Sequence, residues 1–272
     1  MWKLKKFISC NFGITVNNFT QKLKYTKQDR IFINNLLHEH KILLFKNAVL
    51  NYDQLENFAK LFGEPEITHP IEHQIKGHPY IRIQSNVLKE GLDYAGGYWH
   101  ADGPWHEVPT KATLLLCTHA PSQGGETMFA DMRSAYNDLP DGAKDYFSKL
   151  NGIYPCKTIY LREMHSLGLP PNKEKEAELK DLAHPLLRLH PITGKKSIYL
   201  NELWLKYVDR VSAEESKRIL DYLYQFSTQD IYLYKHEWGV NDLLIWDNSS
   251  TMHKGIRPDP MYPKTTLRIT IK

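Results

Sequence analysis

Across residues 51–62 the apolar positions Leu55, Phe58, Ala59 and Phe62 recur at i, i+3, i+4 and i+7. This spacing predicts an amphipathic helix that ends before Gly63. The preceding run Ile42-Leu43-Leu44-Phe45 is short and continuously apolar, which predicts a buried strand. A second helix is predicted from Ser212: Glu215 follows in the spacing of a capping box, and Ile219, Leu220, Leu223 and Phe226 share one face. The other apolar runs, at 112–117, 127–130, 197–200, 242–246 and 266–271, have strand length and are separated by Gly, Pro or Asn turns. Leu243-Leu244-Ile245-Trp246 would also suit a buried helix, because periodicity alone does not separate the two. The sum predicts a β-rich α+β chain, a jelly-roll core with helices packed outside it. No repeat, low-complexity tract or linker interrupts residues 1–272, so one domain is expected.

Composition narrows the class. With 272 residues, 42% of them hydrophobic and 24% charged, the chain has an ordinary globular make-up and can bury a sizeable core. The net charge of +4 is spread over scattered Lys and Arg, which gives little support for a nucleic-acid partner. Cys10, Cys117 and Cys156 are odd in number and far apart, fitting neither a disulfide framework nor a four-ligand zinc site. A reducing cytoplasm is the expected compartment. Residues 1–10 lack the continuous apolar stretch of a secretory signal, and no segment approaches the ~18 apolar residues of a membrane span, so no membrane partner is expected. Nothing in the composition excludes a homo-oligomer.

The chemistry concentrates around His100-Ala101-Asp102. Two residues apart in an extended segment, His100 and Asp102 point to the same side. Two histidines and one carboxylate leave open positions on a metal, the arrangement that suits non-haem iron(II). With 13 His in the chain, a His-x-Asp tripeptide alone is weak evidence, since about one is expected by chance. Its context is stronger: the strand-like run at 242–247 leads to His253, about 150 residues downstream, placed to meet the first pair across a barrel mouth.

These residues belong to a longer pattern: Phe62-Gly63-Glu64, His69-Pro70, Trp99-His100-Ala101-Asp102, Gly124-Gly125-Glu126-Thr127, His184-Pro185-Leu186, His190-Pro191-Ile192-Thr193-Gly194-Lys195, Trp246-Asp247-Asn248, His253 and Leu267-Arg268-Ile269-Thr270. The pattern resembles the taurine and 2,4-dichlorophenoxyacetate type (TauD/TfdA) dioxygenases of the iron(II)/2-oxoglutarate superfamily. The resemblance implies a double-stranded β-helix, iron(II) held by His100, Asp102 and His253, 2-oxoglutarate as co-substrate with help from Thr127, and dioxygen as oxidant. It further implies hydroxylation or desaturation of a small organic molecule, with release of succinate and CO2. Because Asp102 retains the carboxylate ligand, the resemblance argues against halogenation, for which relatives leave that position to chloride.

The tail departs from the family pattern. Where two arginines four residues apart are usual, this chain has Lys264 and Arg268. On a strand Lys264, Thr266 and Arg268 share one face and Thr265, Leu267, Ile269 and Ile271 the other, so both cations can point inward. Lysine offers a point charge where arginine offers a planar fork, which leaves open which cation grips the co-substrate. A solvent-facing strand edge is the plainer reading of Lys264. By the same resemblance His69 corresponds to a position that contacts the substrate anion, and an acidic substrate is expected: a sulfonate, aryloxy acid, amino-acid derivative or isonitrile derivative. Tyr94, Tyr98, Trp99 and Trp105 crowd the metal motif as a candidate aromatic wall, with Trp105 taken as a substrate contact, although core packing explains each as well. Gly96-Gly97 suits a closing loop or an ordinary turn.

Two other classes compete, a cupin-type hydrolase or isomerase using the same ligands without 2-oxoglutarate, and a non-catalytic β-sandwich binding module. The chain contains no H-E-x-x-H, G-x-G-x-x-G, G-x-x-x-x-G-K or G-x-S-x-G, so zinc proteolysis, nucleotide binding and serine hydrolysis lack their usual signals.

Overall fold

The computed structural model describes residues 3–6, 12–17, 19, 22, 24–67, 73–87, 90–91, 96–166 and 169–272. Expectations attached to Cys10, His69, Pro70 and Tyr94 lie outside the described residues. Among those described, an eight-stranded sheet runs in the order β1 (Lys3–Lys6), β2 (Ile14–Asn17), β3 (Ile42–Phe45), β14 (Leu243–Asp247), β6 (Ala112–His119), β16 (Thr265–Ile271), β5 (His78–Ser85), β4 (Gln74–Ile75). Its neighbours pair antiparallel except β2 with β3. A second sheet, β13 (Leu233–His236), β7 (Thr127–Asp131) and β15 (Thr251–Gly255), is also antiparallel.

Period-2 alternation along the central strands builds two separate cores. On one side Leu43, Phe45, Leu114, Leu116, Leu243, Ile245, Leu267, Ile269 and Ile271 pack with helices α1 (Lys27–His40) and α2 (Tyr52–Ala59). On the other, Ile42, Leu44, Leu115, Cys117, Leu244 and Trp246 meet Phe129, Tyr234 and Trp238 of the second sheet and its flank. Buried on both faces, β14 reads as an unbroken apolar run, which is why its sequence could not distinguish strand from helix. The tail follows the expected split: Leu267, Ile269 and Ile271 face the helices, and Arg268, paired with Leu115, faces the second sheet.

A third region packs Met132, Leu139, Phe147, Tyr154, Leu186, Ile219, Leu223 and Met252 together. It contains the sheet β12 (Tyr207–Val208), β8 (Asn151–Tyr154), β9 (Leu182–Pro185) and the hairpin β10 (Leu187–Leu189), β11 (Lys196–Ile198). Helices α3 (Met132–Asp138), α4 (Asp141–Phe147), α5 (Cys156–Ser166), α6 (Lys173–Glu178) and α7 (Ala213–Ser227) complete the chain.

Helix starts follow local chemistry. Asn51 and Gln54 cap α2 reciprocally, and the Ser212 hydroxyl accepts from Glu215 N at 3.1 Å to start α7. Helix α1, not anticipated from the apolar pattern, is capped by Thr26 and Asp29 and buries Ile33, Leu36 and Leu37. No described helix is long and apolar enough to cross a membrane.

Candidate active site

His253 sits in the middle of β15, and His100 pairs with it as an isolated bridge: His100 N donates to His253 O at 3.0 Å and His253 N to His100 O at 2.8 Å. A further bond, Gly255 N to Gly96 O at 2.9 Å, holds the segment from 96 onward beside β15. Gly96 has φ +103°, and a Cβ there would lie 2.8 Å from His100 Cε1. Its role is therefore to let backbone approach the His100 ring.

The two imidazoles lie with ring centroids 4.0 Å apart. Asp102 reaches both, Oδ1 at 3.8 Å from His100 Nε2 and Oδ2 at 3.9 Å from His253 Nε2. One ligand-type atom from each of the three residues fits within 4.8 Å of the others. The nitrogen-to-carboxylate distances are too long for hydrogen bonds, so these donor atoms converge without being spent on one another. His100 Nδ1 donates to Tyr98 O at 2.8 Å, which assigns the proton to Nδ1 and leaves Nε2 its lone pair. Burial pushes both imidazoles below their ordinary pKa, keeping them neutral as ligands must be. Burial pushes the Asp102 carboxyl up, but the Arg268 guanidinium and the Thr113 hydroxyl outweigh it and hold the group well below the usual carboxylate range. Two neutral imidazoles and one carboxylate fit an iron(II) site of the facial type.

A polar shell fixes Asp102. The Thr113 hydroxyl donates to Asp102 Oδ2 at 2.6 Å, Asn248 Nδ2 donates to Thr113 Oγ1 at 3.0 Å, and Asn248 Oδ1 accepts from Asp102 N at 3.1 Å. Arg268 Nη2 pairs with Asp102 Oδ1 at 2.8 Å. Sequence reasoning assigned Thr113 no role. Its signal was a lone hydroxyl inside an apolar strand run, a group that must find a partner when buried.

Thr127 opens β7 and is buried, and its Oγ1 accepts from Trp238 Nε1 at 3.0 Å. Because that bond uses the hydroxyl as acceptor, its proton is free to be donated elsewhere. Lys264 Nζ lies over the Trp238 ring, 5.0 Å from the centroid, and donates to Gly125 O at 2.7 Å. The solvent-facing reading of Lys264 is thus corrected: the side chain is half-buried, and burial pushes its ammonium down to about 8. Trp238 joins Thr127 to Lys264, yet no periodicity or motif marked it in the sequence.

The expected aromatic wall divides. Tyr98 lies against His100, ring centroids 4.8 Å apart. Trp99 packs into the third-region core. Trp105 is 38% exposed and meets the Trp204 ring edge-on at 6.3 Å. Cys117 and Cys156 are buried free thiols.

The sequence profile described as "Taurine catabolism dioxygenase TauD, TfdA family" matches residues 10–270. This chain belongs to that family. Among TauD/TfdA relatives, it is 28% identical to the alpha-ketoglutarate-dependent 2,4-dichlorophenoxyacetate dioxygenase of Cupriavidus pinatubonensis (strain JMP 134 / LMG 1197), over 84% of this chain and 83% of that one. It is also 28% identical to the alpha-ketoglutarate-dependent sulfate ester dioxygenase of Pseudomonas putida, over 88% and 79%. The solved structure of AAD-2 in complex with Mn(II) and N-oxalylglycine superimposes with a TM-score of 0.81 at 26% identity, covering 100% of this chain and 97% of that one.

Proposed function

We propose that this chain is an iron(II)/2-oxoglutarate-dependent dioxygenase that hydroxylates or desaturates a small acidic organic molecule, with release of succinate and CO2. The carrying observation is the convergence of His100, Asp102 and His253, from segments about 150 residues apart, within 4.8 Å. Those three side chains hold iron(II), which with 2-oxoglutarate and dioxygen supplies the oxidation of an unactivated C–H bond. The protein's own part is to bind, orient and exclude water. Thr127 and Lys264, joined through Trp238, receive the distal carboxylate of 2-oxoglutarate: one has a hydroxyl proton to donate, the other an ammonium. Arg268, paired with Asp102, keeps the carboxylate ligand ionised and in place. Family membership disfavours a cupin-type hydrolase and a non-catalytic sandwich.

The two facing sheets support reading the core as a double-stranded β-helix; one catalytic domain over residues 1–272 and a reducing cytoplasm are part of the same proposal. Small sulfonates, sulfate esters and aryloxy acids are the substrates to try, and His69 and Trp105 remain proposed contacts. The test is succinate release: purified protein with iron(II) and 2-oxoglutarate should turn over slowly alone and faster with a suitable acid. Absence of both would contradict the reading.

A further inference from the structure

Trp238 lies beyond the end of β13, where pairing with β7 has stopped at His236 and Thr127. Its indole nevertheless carries two jobs at once. The single N–H donates to Thr127 Oγ1 at 3.0 Å, and the ring face lies 5.0 Å from Lys264 Nζ. Both depend on the angle of the ring, so something other than the strand ladder must fix it. That something is the Asp242 carboxylate. Its Oδ2 accepts from Gly239 N at 2.9 Å, directly after Trp238, and lies 3.3 Å from His236 Nε2, just before it. The His236 ring stands edge-on to the indole, centroids 4.5 Å apart and planes at 88°. Asp242 thus grips the chain on both sides of Trp238.

The grip is itself anchored. Lys46 Nζ pairs with Asp242 Oδ2 at 2.7 Å, Asp242 O accepts from Cys117 N at 2.9 Å, and Asn241 N donates to Cys117 O at 2.8 Å. On the far side of the imidazole, the Tyr234 hydroxyl lies 2.9 Å from His236 Nδ1. With Nε2 facing a carboxylate, the ring proton is assigned to Nε2 and Nδ1 accepts from the tyrosine. The Asp242 and His236 side chains are each only 2% exposed. Apolar packing would bury a tryptophan equally well but would leave its tilt loose, whereas hydrogen bonds are directional and set an angle. The cluster also stands apart from the metal ligands, because β7 separates β13 from the β15 strand that bears His253.

We propose that Asp242, acting through His236 and Trp238, is a positioning residue for the distal carboxylate of 2-oxoglutarate. This assignment rests on the dioxygenase reading above and deepens it. Thr127 and Lys264 make the contacts, and the Asp242 grip sets the angle at which the hydroxyl and the ammonium are presented. The grip therefore acts on the choice among 2-oxo acids. Pyruvate has the same metal-chelating 2-oxo acid end but no distal carboxylate, so it gains nothing from a correctly tilted Trp238.

The test uses the full chain loaded with Mn(II) and compares the affinities of 2-oxoglutarate and pyruvate by calorimetric titration. The wild type should bind 2-oxoglutarate about tenfold or more tighter than pyruvate. Asp242→Asn keeps the size of the side chain and removes its charge. It should weaken 2-oxoglutarate by about tenfold, as expected when hydrogen bonds to a charged group are disturbed, and leave pyruvate within twofold of wild type. His236→Phe keeps a ring against Trp238 and removes the bond to Asp242, and it should show the same selective loss. If Asp242→Asn fails to fold, His236→Phe carries the test. A third arm asks whether the effect passes through the indole. Trp238→Phe deletes the donor to Thr127, and adding Asp242→Asn or His236→Phe to that background should weaken 2-oxoglutarate no further, the non-additivity expected of residues in one network. Three results would overturn the proposal: 2-oxoglutarate binding within twofold of wild type in the single variants, equal losses for the two acids, or an undiminished effect in the Trp238→Phe background. A wild type that fails to bind 2-oxoglutarate, or does not prefer it to pyruvate, would instead overturn the reading on which the proposal rests.

Discussion

Lys264 carries the clearest consequence of a single residue. With its ammonium pushed down to about 8 by burial, against the opposing pull of Cys117 and Glu126, it is charged below that pH and neutral above it. Affinity for 2-oxoglutarate should then be level below pH 8 and weaken above it, by up to about tenfold per unit. Lys264→Arg, which cannot be neutralised in this range, should flatten the profile. A wild-type profile that stays level to pH 10 would remove Lys264 from the co-substrate site. Thr113 makes the second residue-scale case. Thr113→Val deletes the donor to Asp102 Oδ2 while keeping the shape of the side chain. Metal affinity, read by Mn(II) titration, should fall about 10- to 100-fold, with Thr113→Ser restoring it.

At the scale of elements, the turn joining β14 to β15 determines where His253 and Asn248 sit. Asp247, the last residue of β14 before this turn, is buried, and burial pushes its carboxyl up. Hydrogen bonds more than compensate: Oδ2 accepts from His190 Nε2 at 2.9 Å and Ser250 Oγ at 2.8 Å, and Oδ1 from Ser249 N at 2.9 Å. Ile192 N and Thr193 N donate to His190 Nδ1, which leaves the ring proton on Nε2 facing Asp247. Deleting the acceptor of such buried hydrogen bonds costs about 1–3 kcal/mol for a donor left unsatisfied. Asp247→Ala should accordingly lower the urea midpoint at an unchanged m-value, and Mn(II) affinity should fall with it because Asn248 loses its support. A variant with wild-type stability would show that the pair is not needed to hold the turn. The sequence showed His190 and Asp247 only as members of family motifs, because their contact joins elements 57 positions apart.

For the whole molecule, legibility followed locality. The Asn51 and Ser212 helix starts, the strands β3, β6, β7 and β16 and the inward face of Lys264 and Arg268 could be read because caps and period-2 alternation are properties of neighbouring residues. The candidate metal ligands could be picked out because His100 and Asp102 are two positions apart and His253 follows a distinctive apolar run. Helix α1 escaped because its buried set, Ile33, Leu36 and Leu37, makes too narrow an apolar stripe, even though Thr26 and Asp29 carried a legible cap. Trp238 acquires meaning only when distant segments meet, which no local pattern records. The most direct test of the account is anaerobic addition of iron(II) and then 2-oxoglutarate to the metal-free protein, followed in the visible spectrum. The wild type should develop a weak charge-transfer band that saturates with 2-oxoglutarate, and His100→Ala, Asp102→Ala and His253→Ala should each fail to form it while remaining folded. No band in the wild type, or an undiminished band in any of the three variants, would contradict the assignment of these residues as the iron-binding centre.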